Sequence, residues 1–201
     1  MWALLLGLSR AIDAVNTRIG RWVAWLILVA VLVSAANATI RKIFDLSSNA
    51  WLELQWVLFS VVFLICAPWT LLANEHIRID IVNAAFPQRL RNWIDVLGHS
   101  LFLLPLTIVM VITAIPFFLN SFSLREQSFS SGGLPQWPAK SLIMIGFGLL
   151  LLQAISELIK RVAVMRGLIP DPHVSAGAHA AELEAARLMA ELKPETSRTQ
   201  E

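Results

Sequence analysis

Four long apolar stretches, each close to the length of a membrane-spanning helix, constrain this chain more than any other feature. A spanning helix needs about 20 predominantly apolar residues, because the hydrocarbon core is about 30 Å thick and each helical residue rises about 1.5 Å. We place the predicted spans at residues 22–40, 51–74, 96–119 and 137–159. Continuous apolar runs favour helices over the strands of a membrane barrel, in which polar and apolar residues alternate.

The composition agrees with a protein that faces lipid. Of the 201 residues, 57% are hydrophobic and 15% are charged, whereas soluble domains have about 45–50% and about 25%. The formal net charge of +2 gives no basic excess that would indicate nucleic acid as a partner. Cys66 is the only cysteine, which excludes an intrachain disulfide and a zinc site built from cysteines. The sequence therefore predicts an all-α membrane protein with four transmembrane helices.

The basic residues that flank the spans predict the orientation, because positive charge accumulates on the cytoplasmic side of membrane proteins. One side of the predicted bundle has Arg10, Arg18, Arg21, Arg78, Arg89, Arg91, Lys160, Arg161 and Arg166. The other side has Arg41, Lys42, Arg125 and Lys140. We therefore expect both termini, and the connection between the second and third spans, to lie in the cytoplasm.

The segment before the first span, residues 1–21, has an apolar stripe at helical spacing. The stripe consists of Leu5, Leu8, Ile12, Val15, Ile19 and Trp22. The polar residues on the other side are Arg10, Asp13, Thr17 and Arg21. This pattern predicts an interfacial amphipathic helix on the cytoplasmic leaflet. A cytoplasmic extension of the first span is the alternative.

The rest of the chain divides into two predicted parts. Residues 22–166 form the membrane domain. Residues 167–201 form a cytoplasmic tail, partly helical and then disordered, because glycines and prolines interrupt its first half and its end is polar. Within the membrane domain, Pro105 and Pro116 predict a bend in the third span, since each removes a backbone donor.

Ionisable residues inside the spans are candidates for function, because charge is costly in hydrocarbon. Glu53 lies near the outer end of the second span. It is either buried against a partner subunit or an interfacial carboxylate in contact with water. Lys140 and Glu157 lie near the ends of the fourth span, where snorkelling towards the headgroups explains a charged side chain.

No motif for catalysis is present: the sequence has no triad, acidic dyad, phosphate-binding glycine loop or HExxH element. We therefore expect neither an enzyme nor a cofactor or metal site. His76 and His99 lie near the cytoplasmic ends of neighbouring spans, which leaves a haem-binding electron-transfer subunit as an alternative. A membrane scaffold or assembly protein is a second alternative. A bundle with so few polar interior groups is poorly equipped to move a solute alone.

The run from the second span to the start of the third resembles a known family. It has an acid early in the span, an apolar stretch, and a short charged element at the cytoplasmic exit. The residues concerned are Glu53, then His76-x-Arg78-x-Asp80, then Leu90-x-x-Trp93-Ile94-Asp95. Together with the four-span layout and the length, this run resembles the small permease subunit of tripartite ATP-independent periplasmic (TRAP) transporters. The resemblance covers roughly residues 10–165, and the tail departs from it.

The resemblance implies a three-component uptake system. A periplasmic binding protein captures a small organic acid, and a large permease subunit in the bacterial inner membrane carries it across with sodium. The small subunit packs beside the large one and forms part of the periplasmic docking surface. The matching polar positions, for which we expect structural or intersubunit pairing, are Glu53, His76, Arg78 and Asp80.

Two further expectations follow for charged residues. Arg78 and Asp80 form a local electrostatic brace at the cytoplasmic interface. Charges in the two outer loops help the periplasmic binding protein to dock, because these loops are the parts of the chain that such a partner can reach. The outer charges are Arg41, Lys42, Asp45, Arg125 and Glu126.

Overall fold

The computed structural model describes residues 2–45, 48–73 and 88–169, and these residues are almost entirely helical. The helices are α1 (Trp2–Ala24), α2 (Leu26–Phe44), α3 (Asn49–Ala73), α4 (Gln88–Gly98), α5 (Leu104–Ser123) and α6 (Trp137–Met165), with a π-helical turn (His99–Leu103) between α4 and α5. Within the described ranges no strand forms, and the prediction of an all-α fold is confirmed.

Four helical stretches are long and apolar enough to cross a membrane, as the sequence predicts. They are Trp2–Phe44, Asn49–Ala73, Asn92–Ser123 and Trp137–Met165. The first contains both α1 and α2, which are separated only at Trp25. The Trp25 N–H donates to the Trp22 carbonyl at 3.3 Å and the Leu28 N–H donates to the Trp25 carbonyl at 3.1 Å. This three-residue spacing tightens the helix locally instead of ending it in a loop.

Helix α3 contacts α1, α2 and α6. Gly20 of α1 is buried, and a Cβ there would lie 2.8 Å from the Cβ of Trp69 in α3. Gly146 of α6 is likewise buried, and a Cβ there would lie 2.8 Å from the Cβ of Leu64. Because small residues let helix backbones approach closely in lipid, the two glycines set the distances of α1 and α6 from α3.

The third span contains a π-helical turn immediately before Pro105. The Leu104 N–H donates to the carbonyl of His99, five residues earlier. The Thr107 hydroxyl donates to the carbonyls of Leu103 at 2.9 Å and Leu104 at 3.0 Å, so the buried threonine is satisfied within its own helix. Helix α5 continues through Pro116 without a second π-turn.

The described residues belong to two compact units, Met1–Arg161 and Val162–Glu201. In the second unit, Gly167 has a positive φ of 69° and ends helix α6. The Gly167 N–H donates to the Val164 carbonyl at 2.9 Å and the Leu168 N–H donates to the Ala163 carbonyl at 3.0 Å. A glycine in the left-handed region is a frequent way to end a helix. Most of the predicted tail, residues 170–201, lies outside the described residues.

Candidate functional site

Glu53 binds the loop between α5 and α6. The Ser128 hydroxyl donates to Oε1 of Glu53, and the Leu134 backbone N–H donates to Oε2 at 2.6 Å. One turn earlier, the Asn49 amide donates to the Ser131 carbonyl at 3.0 Å. Gly133 is required here, because a Cβ would lie 2.5 Å from Cβ of Ser128 and 2.7 Å from Oε1 of Glu53. The half-buried carboxylate therefore fixes this loop against the start of α3.

The loop itself is an irregular hairpin. The Ser128 N–H donates to the Leu134 carbonyl at 3.2 Å, and the Gln136 N–H donates to the Glu126 carbonyl at 3.0 Å. We call this side of the bundle, which holds the α2–α3 and α5–α6 connections, the outer end, after its predicted orientation.

A second polar pair at the outer end joins the same loop to α6. The Lys140 ammonium forms an ion pair with Oε2 of Glu126 and lies 4.3 Å above the centre of the Phe117 ring. The hydrogen bond from Lys140 lowers the pKa of Glu126 below its ordinary value. Both side chains are partly buried, so Glu126 is engaged within its own chain. The sequence analysis predicts that Lys140 snorkels towards the headgroups, whereas in the structure it pairs with Glu126.

The other charges predicted for docking are exposed on the outer end. Arg41 and Lys42 lie in the last turn of α2, and Asp45 follows them with a positive φ of 53°. Arg125 also has a positive φ, of 48°, directly after α5. The structure thus places these four residues at the connections of one end, with their side chains in the open.

A polar cluster between α1 and α6 is the largest feature that the sequence analysis missed. Asp13 is its centre: Oδ1 accepts from the Ser156 hydroxyl at 2.8 Å and from the Gln153 amide at 2.9 Å, and Oδ2 accepts from Lys160 at 3.0 Å. Lys160 also binds Oε1 of Glu157 at 2.5 Å. Glu157, expected to snorkel, is thus part of an ion-pair network between helices.

Two uncharged pairs extend this α1–α6 cluster on either side of Asp13. The hydroxyls of Ser9 and Ser156 lie 2.7 Å apart, and the Asn16 amide donates to Oε1 of Gln153 at 2.7 Å. All four of these side chains are buried. The face of α1 that packs against α6 is therefore polar, and its polar groups satisfy one another.

Helix α4 is joined to α6 by a further ion pair. Nη2 of Arg161 lies 3.2 Å from Oδ2 of Asp95, and Arg161 is 4% exposed. Asp95 belongs to the element on which the family resemblance rests. A buried arginine needs such a partner, because an uncompensated buried charge is strongly destabilising.

Three of the predicted polar residues, His76, Arg78 and Asp80, lie outside the described residues. Nδ1 of His99, the second histidine of the haem alternative, lies 2.7 Å from the Asp95 carbonyl of its own helix. Among the described residues, no group of three or more His, Cys, Asp or Glu side chains could hold a metal ion.

Comparison with known proteins adds one finding. The model of the family described as "Tripartite ATP-independent periplasmic transporters, DctQ component" matches residues 30–164. No curated protein and no solved structure matches the chain. The match covers α2 to α6 almost completely, together with Glu53, the outer loop and the Asp95–Arg161 pair.

Proposed function

The chain belongs to the DctQ component family of the tripartite ATP-independent periplasmic transporters, and on that premise we propose how this small membrane subunit works. It pairs with the large permease subunit in the bacterial inner membrane. The pair takes up a small organic acid, delivered by a periplasmic binding protein, in symport with sodium. The family is a transporter component and not an enzyme family. Membership of it therefore argues against the two alternatives from the sequence, a haem-binding electron-transfer subunit and a membrane assembly protein.

We infer a structural role for this subunit from one observation: the described charges between the helices form ion pairs with one another. Lys160 forms ion pairs with both Asp13 and Glu157, and Arg161 pairs with Asp95. A transport pathway needs polar groups that can replace the hydration shell of a solute or ion. The described interhelical charges are engaged in helix packing. This supports a structural role for the chain beside the permease and not a transport pathway through it.

Pairing with a second membrane protein is supported by the apolar faces of the bundle. Phe63 on α3 is 79% exposed and Phe102 in the π-turn is 76% exposed. Large side chains of this kind face either lipid or another helix, and membership of a multicomponent transporter family favours a partner for part of this surface.

Docking of the binding protein at the outer end is proposed for the exposed charges. Four exposed charges are available there: Arg41, Lys42, Asp45 and Arg125. Glu126 contributes indirectly, because its ion pair with Lys140 holds the loop in shape. Charges at the rim of a transient contact act mainly on the association rate and its salt dependence. Arg41 and Lys42 are adjacent and of the same sign, which makes this pair the best target for a test.

The test is transport by the assembled system at limiting binding-protein concentration. The variant R41E/K42E is expected to slow uptake and to change its dependence on ionic strength, while the two membrane subunits still co-purify. The matched variant R41Q/K42Q removes the charge without reversing it, so its uptake is expected to be intermediate. Uptake equal to wild type in both variants, at every binding-protein concentration and salt concentration, would show that the pair takes no part in docking.

A further inference from the structure

Helix α1 has three different sides, and the bundle uses one of them. The side that packs against α3 and α6 carries the buried residues Ser9, Asn16 and Gly20. A second side carries large apolar residues that are exposed. These are Leu4, Leu8, Val15 and Trp22, of which Leu4 and Trp22 are 79% and 76% exposed. Since the buried residues lie on another side of the helix, this apolar side is left to face the membrane.

The third side of α1 is basic. Arg10, Arg18 and Arg21 are all exposed, and because an α-helix has 3.6 residues per turn, their spacing brings them to the same side. Among the described residues, neither Arg18 nor Arg21 forms an ion pair with a carboxylate. Unpaired arginines beside an apolar strip are the arrangement of a helix at the headgroup level of a membrane.

Along the second half of α1, the basic side lies next to the apolar side. Arg18 and Arg21 are exposed there, and so are Val15 and Trp22. The acid of the same stretch, Asp13, lies on the side that packs against α6 and is paired with Lys160. This stretch of α1 therefore combines positive charge with an apolar surface.

We propose that this surface of α1 binds an anionic phospholipid, with Arg18 and Arg21 on the headgroup phosphate and Val15 and Trp22 against the acyl chain. The planar guanidinium group of arginine suits phosphate, to which it binds through two hydrogen bonds. Tryptophan favours the headgroup level because its ring is amphipathic. A free phosphate ion would leave the two apolar side chains in water, whereas a phospholipid covers them, so the geometry points to the lipid.

Lipid bound at this surface acts on the whole bundle. Asp13 of α1 connects α1 to α6, and Gly20 fixes α1 against α3. A phospholipid that holds α1 in the headgroup region therefore supports the position of α1 on both helices. This role requires neither the large permease subunit nor the binding protein, so it is tested on the full-length chain alone.

The experiment is native mass spectrometry of the purified chain with phosphatidylglycerol and with phosphatidylcholine of identical acyl chains. Wild type is expected to bind phosphatidylglycerol more tightly, and added salt is expected to reduce this preference. The variant R18Q/R21Q is expected to lose about fivefold in affinity for each arginine and to bind phosphatidylcholine as wild type does. Because both side chains are exposed, its melting temperature in detergent is expected to stay unchanged without added lipid.

The matched control is R41Q/K42Q, which removes an exposed basic pair at the other end of the bundle and is expected to leave the lipid affinity unchanged. Equal phosphatidylglycerol affinity in wild type and R18Q/R21Q would overturn the proposal, as would an equal loss in R41Q/K42Q. Displacement of phosphatidylglycerol by inorganic phosphate at the same concentration would also overturn it, because the site would then recognise the anion and not the lipid.

Discussion

Two glycines in α6, two residues apart, allow the packing of α3 against α6 to be measured with an internal control. Gly146 is buried, and a Cβ there would lie 2.8 Å from Cβ and 3.0 Å from the carbonyl oxygen of Leu64. A Cβ on Gly148 meets nothing within 4 Å. Replacing either glycine by alanine raises helix propensity by about 1 kcal/mol, so this gain cancels when the two variants are compared.

The difference between the variants isolates the clash. Overpacking of a tight contact costs about 1–3 kcal/mol, and the nearest atoms of Leu64 include its backbone, which cannot rotate away. We therefore expect the free energy of unfolding of Gly146→Ala to lie about 1–3 kcal/mol below that of Gly148→Ala. The free energy of unfolding of Gly148→Ala itself is expected to equal or exceed that of wild type.

The assay is reversible unfolding of the purified chain in mixed micelles, followed by helix content as the fraction of denaturing detergent rises. Free energies of unfolding for the two variants that agree within about 0.5 kcal/mol, the usual error of additivity, would refute the close approach of α3 and α6 at Gly146.

Three further predictions concern the polar contacts. Asp13→Ala is expected to lower the free energy of unfolding by about 2 kcal/mol, since three hydrogen bonds in a membrane protein are worth about 0.6 kcal/mol each. The control Asp45→Asn removes an exposed charge at the end of α2 and keeps a residue type that tolerates the left-handed backbone there, so it should have no effect; equal stabilities of the two variants would contradict the assignment. Glu53→Gln is expected to speed hydrogen exchange at the Leu134 amide about tenfold, because a charged acceptor is lost; unchanged exchange would dispose of the contact. The pKa of Glu126 is lowered from 4.5 by Lys140, so its stabilising contribution persists above pH 4.5 and is lost as the pH falls through the lowered value. In Glu126→Gln the melting temperature should therefore fall less steeply with acid pH than in wild type. The same dependence of melting temperature on pH in both proteins would argue against the pair.

The four spans were predictable for two reasons. A continuous apolar run can be read from neighbouring residues alone, and the thickness of the bilayer fixes the length that such a run needs. The observed helices begin and end within a few residues of the predicted limits in the second span, where residues 51–74 were expected and Asn49–Ala73 forms. The first span is the exception. Its predicted start at residue 22 falls inside α1, because the helix tightens at Trp25 and not at the first apolar residue.

The polar face of α1 could have been partly predicted. Ser9, Asp13, Asn16 and Gly20 recur at spacings of four, three and four, which defines a second stripe of small and polar residues beside the apolar one. A stripe of this kind indicates a packed face in a membrane protein. Its partner was beyond prediction, because Ser156 lies 147 positions from Ser9 and local periodicity does not encode such pairings.

The outer end shows the same limit for single residues. The position of Glu53 near the end of its span was predictable from its distance to the start of the apolar run. Its partner at Oε2 is a backbone N–H, that of Leu134, which no side-chain pattern reveals. For the same reason the sequence indicates a docking role for Glu126 but not its ion pair with Lys140, which the hairpin brings about.

Sodium-driven uptake in proteoliposomes tests most directly the claim that this chain supports a permease and does not itself transport. Three preparations are compared at saturating binding protein and substrate: this chain alone, the large permease subunit alone, and both together. We predict sodium-dependent accumulation of the organic acid only when both subunits are present. Sodium-dependent accumulation by this chain alone, or accumulation by the large subunit that is equally fast without this chain, would contradict the account.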